Sequence, residues 1–203
     1  MSRNTNAGVK KDVILEPSCD YGDWLRWRDV NNGVIRIDRD INEESARIIS
    51  MELDVIRRRK PKLKNFTIKI SSPGGEIYGS LTIYDLIRSM SNMGIKSTAI
   101  VEGWAASASA AIILQAADVR LCTKSSRFLL HEASQLAFFS DTKASELKDE
   151  AKELEIVNDI IFKILAERCG RTFDEIRKII ERREVWLSAK DAIEFGLIDG
   201  IVS

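Results

Sequence analysis

The sequence predicts an α/β fold in which a mainly parallel sheet is covered by helices. Strand-like and helix-like segments alternate along the chain from about residue 33 onward. Apolar and polar residues alternate over 66–70, as they do in a strand with one covered face. A Ser-Pro-Gly-Gly break at 72–75 then separates this strand from the next helix. Repeated strand–turn–helix units favour right-handed crossovers, which place neighbouring strands parallel.

Each element has its own signal in the sequence. Residues 1–32 are polar and without clear periodicity, and we expect a divergent N-terminal segment there, outside a single domain that spans 33–203. Apolar residues at three- and four-residue spacing predict helices, and short apolar or alternating runs predict strands. The predicted strands cover 34–37, 66–70, 95–101, 119–122, 128–131 and 197–199. The predicted helices cover 42–56, 80–90, 103–114, 142–168, 172–180 and 189–195.

The segment 142–168 is the longest predicted helix, and its character changes along its length. Charged residues dominate its first half, whereas apolar residues dominate its second half. This change predicts a helix that protrudes and packs its apolar part against a partner subunit or against the domain's own core. Gly170 ends the helix, and Thr172 with Glu175 forms a capping box that begins the next one.

Composition excludes several classes of function. The 203 residues suffice for one domain with a substantial core, and the 31 basic and 31 acidic residues cancel, so no net field attracts nucleic acid or an anionic membrane. The longest apolar run, 105–117, is too short to cross a bilayer, and no secretory signal is visible before residue 20. Three widely spaced cysteines and a single histidine exclude a disulfide framework and a multi-histidine metal site. We therefore expect a cytoplasmic protein.

Ser107 and His131 are the candidate catalytic pair. Ser107 follows a predicted strand, and we expect it one turn into a helix, near unpaired N–H groups and the positive end of the helix dipole. Fixed donors at this place would stabilise an oxyanion. His131 is the sole histidine and could be the base that a serine nucleophile needs. From the residues alone, Ser107 could also be a small packing residue, as we expect for Ser109, and His131 a hydrogen-bonded core residue.

The Ser-Pro-Gly-Gly turn is a candidate for the oxyanion hole. Consecutive glycines, Gly74 and Gly75, let the backbone adopt positive φ and approach a ligand closely. Their N–H groups could then stabilise a developing negative charge. The alternative is that the two glycines simply make a tight turn between strand and helix.

Four segments of the chain form a recognisable set. They are Ser72-Pro73-Gly74-Gly75 with the later Ile83-Tyr84-Asp85, Gly103-x-Ala105-Ala106-Ser107, Ser126-Arg127-Phe128-Leu129-Leu130-His131, and Leu187-Ser188-Ala189 with Phe195-Gly196-Leu197-Ile198-Asp199. In this order and at these approximate spacings they resemble the proteolytic subunit of the Clp protease (ClpP, peptidase family S14). The resemblance covers residues 33–203. It implies a crotonase/ClpP-like fold of repeated ββα-type units with a protruding long helix.

The resemblance also implies roles for individual residues. By this likeness Ser107 is the nucleophile and His131 is the base. Gly74 or Gly75, together with Ala108, would supply the oxyanion-hole amides.

In the family that the chain resembles, the serine and the histidine form a catalytic triad with an aspartate. That aspartate stands three residues before the Leu of the Leu-Ser-Ala motif. Glu184 occupies that position here, three residues before Leu187. Glutamate can orient an imidazole as aspartate does, although its extra methylene must be accommodated. Asp191 is a second candidate for the same role.

The resemblance implies a serine endopeptidase that hydrolyses peptide bonds inside an oligomeric chamber and needs no cofactor. Family members assemble as stacked rings, in a tetradecamer, and the segment 142–168 would build the contact between rings. They degrade folded proteins only with an AAA+ ATP-driven unfoldase. This sequence has no G-x-x-x-x-G-K-[ST] motif of its own, so such a partner would be a separate chain.

Two other functions stay open at the level of the sequence. The chain could be a catalytically impaired ClpP-like subunit with a structural role in a ring, because Glu184 replaces the family's aspartate. It could also be a crotonase-type acyl-CoA enzyme, which shares the fold and binds thioester oxyanions at paired N–H groups. An intact Ser107–His131 pair favours the peptidase over both.

Overall fold

The computed structural model describes residues 20–58, 63–134 and 143–202. In chain order its elements are α1 (Tyr21–Asn31), β1 (Val34–Ile37), α2 (Glu43–Arg58), β2 (Asn65–Ser72), α3 (Ile77–Asn92), β3 (Lys96–Ala106), a π-helical turn (Ser109–Ile113) that continues as α4 (Leu114–Ala116), β4 (Val119–Thr123), β5 (Arg127–Leu130), α5 (Ala144–Cys169), α6 (Phe173–Ile180), β6 (Val185–Ser188), α7 (Ala189–Phe195) and β7 (Gly200–Val202). Among the described residues, no helix combines the length and apolar character needed to cross a membrane.

The strands form one seven-stranded sheet. Its main path runs β1-β2-β3-β4-β7, and every neighbouring pair on this path is parallel. β5 extends the sheet parallel to the end of β3, and β6 pairs antiparallel with β5. The predicted α/β fold with a mainly parallel sheet is therefore confirmed.

β3 is the longest strand and changes partner along its length. Its residues 98–101 pair with β4, whereas its residues 104–106 pair with β5. On its other side β3 pairs with β2, with a register shift before Ser72 meets Ala105. The carboxyl end of β3 therefore lies between the ends of β2 and β5, at one corner of the sheet.

The core is built from the covered faces of the strands and the apolar sides of the helices. In β2, Phe66, Ile68 and Ile70 are at most 2% exposed and alternate with half-buried polar residues. Each such side chain stabilises the fold by about 1.5–3 kcal/mol relative to an exposed position. Helix α5 buries Val157 and Leu165 in the same core, which agrees with the domain-core alternative for its apolar half.

The prediction that residues 1–32 are irregular is wrong for residues 21–31, which form α1; residues 1–19 lie outside the described residues. Asp20 caps this helix by accepting a hydrogen bond from the Asp23 N–H at 2.9 Å. Arg26 of α1 forms an ion pair with Glu52 of α2. Polar contacts of this kind help to dock α1. A helix held in this way does not need the apolar periodicity from which helices are predicted, and the sequence of α1 lacks it.

The C-terminal strands also differ from the prediction. β6 was not predicted, and the last strand is Gly200–Val202 rather than 197–199. Asp199 explains why the last strand begins at residue 200 rather than at residue 197. Its N–H donates to the Arg120 carbonyl at 2.7 Å, and its carboxylate binds the Arg120 side chain. The segment thus enters the sheet through a polar contact and begins strand pairing only one residue later. The predicted capping box of Thr172 and Glu175 is confirmed.

Arg120 is a buried cation that joins distant parts of the chain. It is 6% exposed and donates to the Asp199 carboxylate, to the Gln115 side chain at 2.8 Å and to the carbonyls of Arg168 (3.1 Å) and Gly196 (3.0 Å). Partial burial acts to raise the pKa of Asp199, but the hydrogen bonds and charge of Arg120 outweigh it, so the net pKa of Asp199 lies below its ordinary value. The pair therefore stabilises the fold most when Asp199 is ionised.

Replacing Asp199 with asparagine is expected to lower the free energy of unfolding by about 2 kcal/mol near neutral pH, because charge-assisted hydrogen bonds to a buried arginine are lost. The advantage of the parent should shrink as the pH falls toward about 3, since a group with a depressed folded pKa loses its stabilisation on protonation. Urea denaturation at a series of pH values measures both effects.

The control for this prediction is Glu194→Gln. The Glu194 carboxylate forms an exposed ion pair with Lys190 at 3.8 Å, so its replacement should change the free energy of unfolding by less than about 0.5 kcal/mol. Equal losses of unfolding free energy in the two variants would contradict the role given to Asp199. So would a difference in unfolding free energy between the parent and the Asp199 variant that widens as the pH falls.

Candidate active site

Ser107 lies at the sharp turn between β3 and the helical segment that follows. β3 continues through Ala106, so the prediction that Ser107 stands one turn into a helix is wrong. Its φ of 54° is in the left-handed region, which a non-glycine residue adopts only at a cost of about 1–3 kcal/mol. The Ser107 N–H donates to the Leu129 carbonyl at 2.9 Å, and the Ser107 carbonyl accepts from the Ala111 N–H at 2.9 Å. A half-buried serine on a strained strand-to-helix turn is the geometry that exposes a nucleophile in α/β-hydrolases.

Gly74 of the Ser-Pro-Gly-Gly turn packs directly against Ser107, whereas a Cβ added to Gly75 would lie 2.1 Å from the Ile41 carbonyl oxygen. A Cβ added to Gly74, whose φ is +93°, would lie 2.5 Å from the Ala106 carbonyl oxygen, 2.9 Å from the Ala108 nitrogen and 2.9 Å from the Ser107 Cβ. The turn is therefore packed against the segment that carries Ser107, and the oxyanion-hole role of its amides stays a prediction.

The N–H groups at this turn are not equivalent. The Gly74 N–H donates to the Ser72 hydroxyl at 3.1 Å, whereas no hydrogen bond engages the Gly75 N–H within the described ranges. Ala108 is the N-cap residue directly before the π-helical turn, at the end of the helix where N–H groups lack acceptors within the helix. Of the two glycines, Gly75 is thus the one whose N–H has no hydrogen-bond acceptor among the described residues.

Ser109 fixes the position of the turn. It is completely buried; its hydroxyl accepts a hydrogen bond from the Ala106 N–H at 2.9 Å and donates to the Ser72 carbonyl (2.9 Å) or the Ala106 carbonyl (2.8 Å). The prediction that Ser109 packs inside the protein is confirmed. Its role in tying the end of β2 to the serine turn was not predicted, because two serines 37 residues apart carry no local signal.

His131 directly follows β5, the strand that pairs with the end of β3. This pairing brings the segment to Ser107, because the Leu129 carbonyl, two residues before the histidine, accepts the Ser107 N–H. The half-buried imidazole has its Nδ1 at 2.6 Å from the Glu132 carbonyl oxygen. A carbonyl can only accept, so Nδ1 carries the proton and Nε2 is the atom left to accept another.

Glu184 is placed by the pairing of β6 with β5. Leu130 pairs antiparallel with Val185, so continuing the register by one residue sets Glu184 opposite His131. The Glu184 side chain is exposed and, in the part of the chain that is described, makes no hydrogen bond to the imidazole. Asp191, the second candidate, accepts hydrogen bonds from the Ser188 hydroxyl (2.7 Å) and N–H (3.1 Å), which hold its pKa below the usual range. Asp191 is therefore engaged as a helix cap.

The chemistry available at this corner comes from a serine, an imidazole and backbone amides. In the described ranges, no group of three or more His, Cys, Asp or Glu side chains is arranged to hold a metal ion. Sequence reasoning predicted Ser107, His131 and the glycine turn as site residues, and it did not single out the hydroxyls of Ser72 and Ser109 that hold this corner.

Comparison with known proteins agrees with this geometry. A family model described as Clp protease matches residues 25–203. The "ATP-dependent Clp protease proteolytic subunit 3" of Rhizobium etli is 32% identical over 166 residues, which cover 80% of each chain. The "ATP-dependent Clp protease proteolytic subunit" of Pleurastrum terricola is 30% identical over 196 residues, 95% of each chain. The corresponding subunit 1 of Corynebacterium diphtheriae is 28% identical over 169 residues, 83% of this chain and 78% of the relative. The chain belongs to the Clp protease family.

Proposed function

We propose that this protein is a serine endopeptidase in which Ser107 is the nucleophile and His131 the general base. The observation that carries the proposal is the position of Ser107, on a strained turn with φ 54° that is held by Leu129 and packed against Gly74. A strained backbone persists only where the surrounding structure enforces it, and such strain clusters at active sites. The same turn places a helix N-terminus beside the serine, where developing negative charge is stabilised.

The proposed reaction follows the order of serine-dependent acyl transfer. The Ser107 Oγ attacks the peptide carbonyl carbon while Nε2 of His131 accepts the hydroxyl proton. The oxyanion that forms would be bound by the N–H groups of Gly75 and Ala108. Collapse of the intermediate breaks the C–N bond, and His131 gives its proton to the leaving amine. Water then attacks the acyl-enzyme, with His131 again as base, and releases the acid product and the free serine.

We assign Glu184 as the third member of the triad, acting as a positioning residue. Its support is the register of β5 and β6, which sets it opposite His131. In the structure the Nδ1–H of His131 is directed at the Glu132 carbonyl instead. A carboxylate that replaces this carbonyl contact would stabilise the imidazolium formed during attack more strongly than a neutral acceptor does.

We also propose that the chain acts in a homo-oligomer of stacked rings, a tetradecamer by likeness to its family, with protein or peptide substrates. Helix α5 supports this proposal, because Leu147 (50%), Ile156 (46%) and Ile160 (37%) are exposed on it. Large apolar side chains on one exposed helix are typical of a surface that another subunit covers. The relatives named as ATP-dependent proteolytic subunits suggest a separate AAA+ unfoldase as partner.

Treatment of the purified oligomer with a fluorophosphonate, followed by intact mass measurement, tests the serine assignment. We expect a single covalent adduct on the parent, none on Ser107→Ala, and strongly slowed labelling of His131→Ala. Labelling of Glu184→Gln should also be slower if Glu184 orients the imidazole, and a parent-like rate would remove Glu184 from the triad. No adduct on a folded, assembled parent would overturn the peptidase proposal and favour a structural subunit.

A further inference from the structure

A cavity of about 450 Å³ adjoins the proposed active site. It lies between the start of α3 and the middle of α5, and we refer to it as the α3–α5 cavity. Gly75, the proposed oxyanion-hole residue, and Ser134, three residues after His131, both line it. The cavity therefore begins where a substrate carbonyl would be held.

The lining of the α3–α5 cavity has two parts. Ile77, Leu154 and Val157 give it an apolar wall. The charged side chains that line it are all carboxylates, contributed by Glu76, Glu150 and Glu153, and no lysine or arginine is among its described lining residues.

One of these carboxylates is held in place. The Tyr78 hydroxyl, which also lines the cavity, donates a hydrogen bond to Glu153. Both side chains are exposed, and the contact orients the Glu153 carboxylate toward Tyr78 at the edge of the cavity.

This lining selects among substrate side chains. A lysine or arginine has an apolar stem that can lie on the aliphatic wall and a cationic end that can reach the carboxylates. An acidic side chain would be repelled by them, and a purely aliphatic one would gain no charge interaction. The volume lies within the range of sites that enclose small ligands, so one long side chain fits inside.

We propose that the α3–α5 cavity receives the side chain of the substrate residue whose carbonyl is attacked, and that Glu76, Glu150 and Glu153 favour lysine or arginine there. The Cβ of that residue is only two bonds from the attacked carbonyl carbon. A carbonyl oxygen held at Gly75 therefore places this side chain, before any other, at the cavity mouth. The inference rests on the proposed peptidase function and specifies its substrate class.

Matched internally quenched peptides test the inference on the assembled full-length protein. The peptides differ only in the residue before the scissile bond, which is lysine, arginine, leucine or glutamate, and kcat/KM is compared. We expect about tenfold higher kcat/KM for lysine and arginine than for leucine, and a lower value for glutamate, as a few partly exposed charge interactions would give. The preference should weaken as salt is added.

Variants assign the preference to the cavity. The double variant Glu150→Gln/Glu153→Gln keeps side-chain size and an acceptor for Tyr78, and it should reduce the lysine-to-leucine ratio to near one. Glu155→Gln is the matched control, because Glu155 lies on the same helix but does not line this cavity. It should leave the ratio unchanged.

Two results would overturn the inference. One is an equal kcat/KM for lysine and leucine peptides in a preparation whose Ser107 is labelled by the fluorophosphonate. The other is a basic preference that appears only on the leaving-group side of the scissile bond. Absence of labelling in the same preparation would instead count against the peptidase proposal itself, so the two failures are distinguishable.

Discussion

Replacing Ser107 with alanine is expected to lower kcat for peptide hydrolysis by about 10⁴- to 10⁶-fold, because the nucleophile is lost while binding groups remain. The fold should be unaffected. The Ser107 backbone makes the hydrogen bonds that hold the turn, to Leu129 and Ala111. Alanine retains the same backbone groups and tolerates φ near 54° about as well as serine does.

The measurement is the steady-state rate on a quenched peptide, made beside urea denaturation and size-exclusion chromatography of the same samples. Ser89→Ala is the control, since Ser89 is an exposed serine on α3. It should match the parent in rate and stability. A Ser107→Ala protein that keeps a substantial part of the parent rate would show that hydrolysis does not use this serine.

Replacing Gly74 with alanine is expected to lower the free energy of unfolding by about 3–5 kcal/mol, the range of severe steric and backbone substitutions. The added Cβ would lie 2.5 Å from the Ala106 carbonyl oxygen, a contact that requires the backbone to move. Because this turn borders Ser107 and the Ala108 N–H, activity of any folded fraction should fall by about 10²- to 10³-fold, as when an oxyanion-hole donor is displaced.

Gly94 provides a matched control for Gly74. Both residues have positive φ, +81° at Gly94 and +93° at Gly74, but a Cβ at Gly94 would meet no atom within 4 Å. Gly94→Ala should therefore cost only about 1–2 kcal/mol of stability from backbone strain, with no effect on the rate. Urea denaturation separates the two variants. Equal losses would mean that conformation, rather than the close approach to the serine turn, explains the glycine at position 74.

The alternation of apolar and polar residues was sufficient to predict most of the sheet. Phe66, Ile68 and Ile70 form the covered face of β2 as expected, because period-two patterning is enforced by burial of one face. The order of strand and helix also predicted parallel pairing. What the sequence could not provide was β3 beyond Val101, where Gly103, Trp104 and two alanines were assigned to a helix. Pairing with β5 holds residues 104–106 extended, and tertiary pairing outweighs intrinsic propensity.

The residues of the candidate site likewise divide into those predicted from short segments of sequence and those that depend on contacts between distant segments. Ser107, His131 and the two glycines were predicted from local chemistry and from the resemblance, since each lies in a distinctive short segment. The hydroxyls of Ser72 and Ser109 were not, because their importance comes from contacts between the ends of β2 and β3. The position of Glu184 opposite His131 depends on β6, a strand of four residues that is too short to show the alternation from which strands are predicted.

The pairing of β6 with β5 has a consequence for how the protein is made. The serine turn is synthesised at residue 107, whereas β6, whose register sets Glu184 opposite His131, follows only at Val185–Ser188. At about 5–20 residues per second, these two parts leave the ribosome roughly 4–15 s apart. A nascent chain that already contains the serine turn therefore still lacks the partner strand of β5. The pairing that sets Glu184 opposite His131 in register can form only near the end of translation.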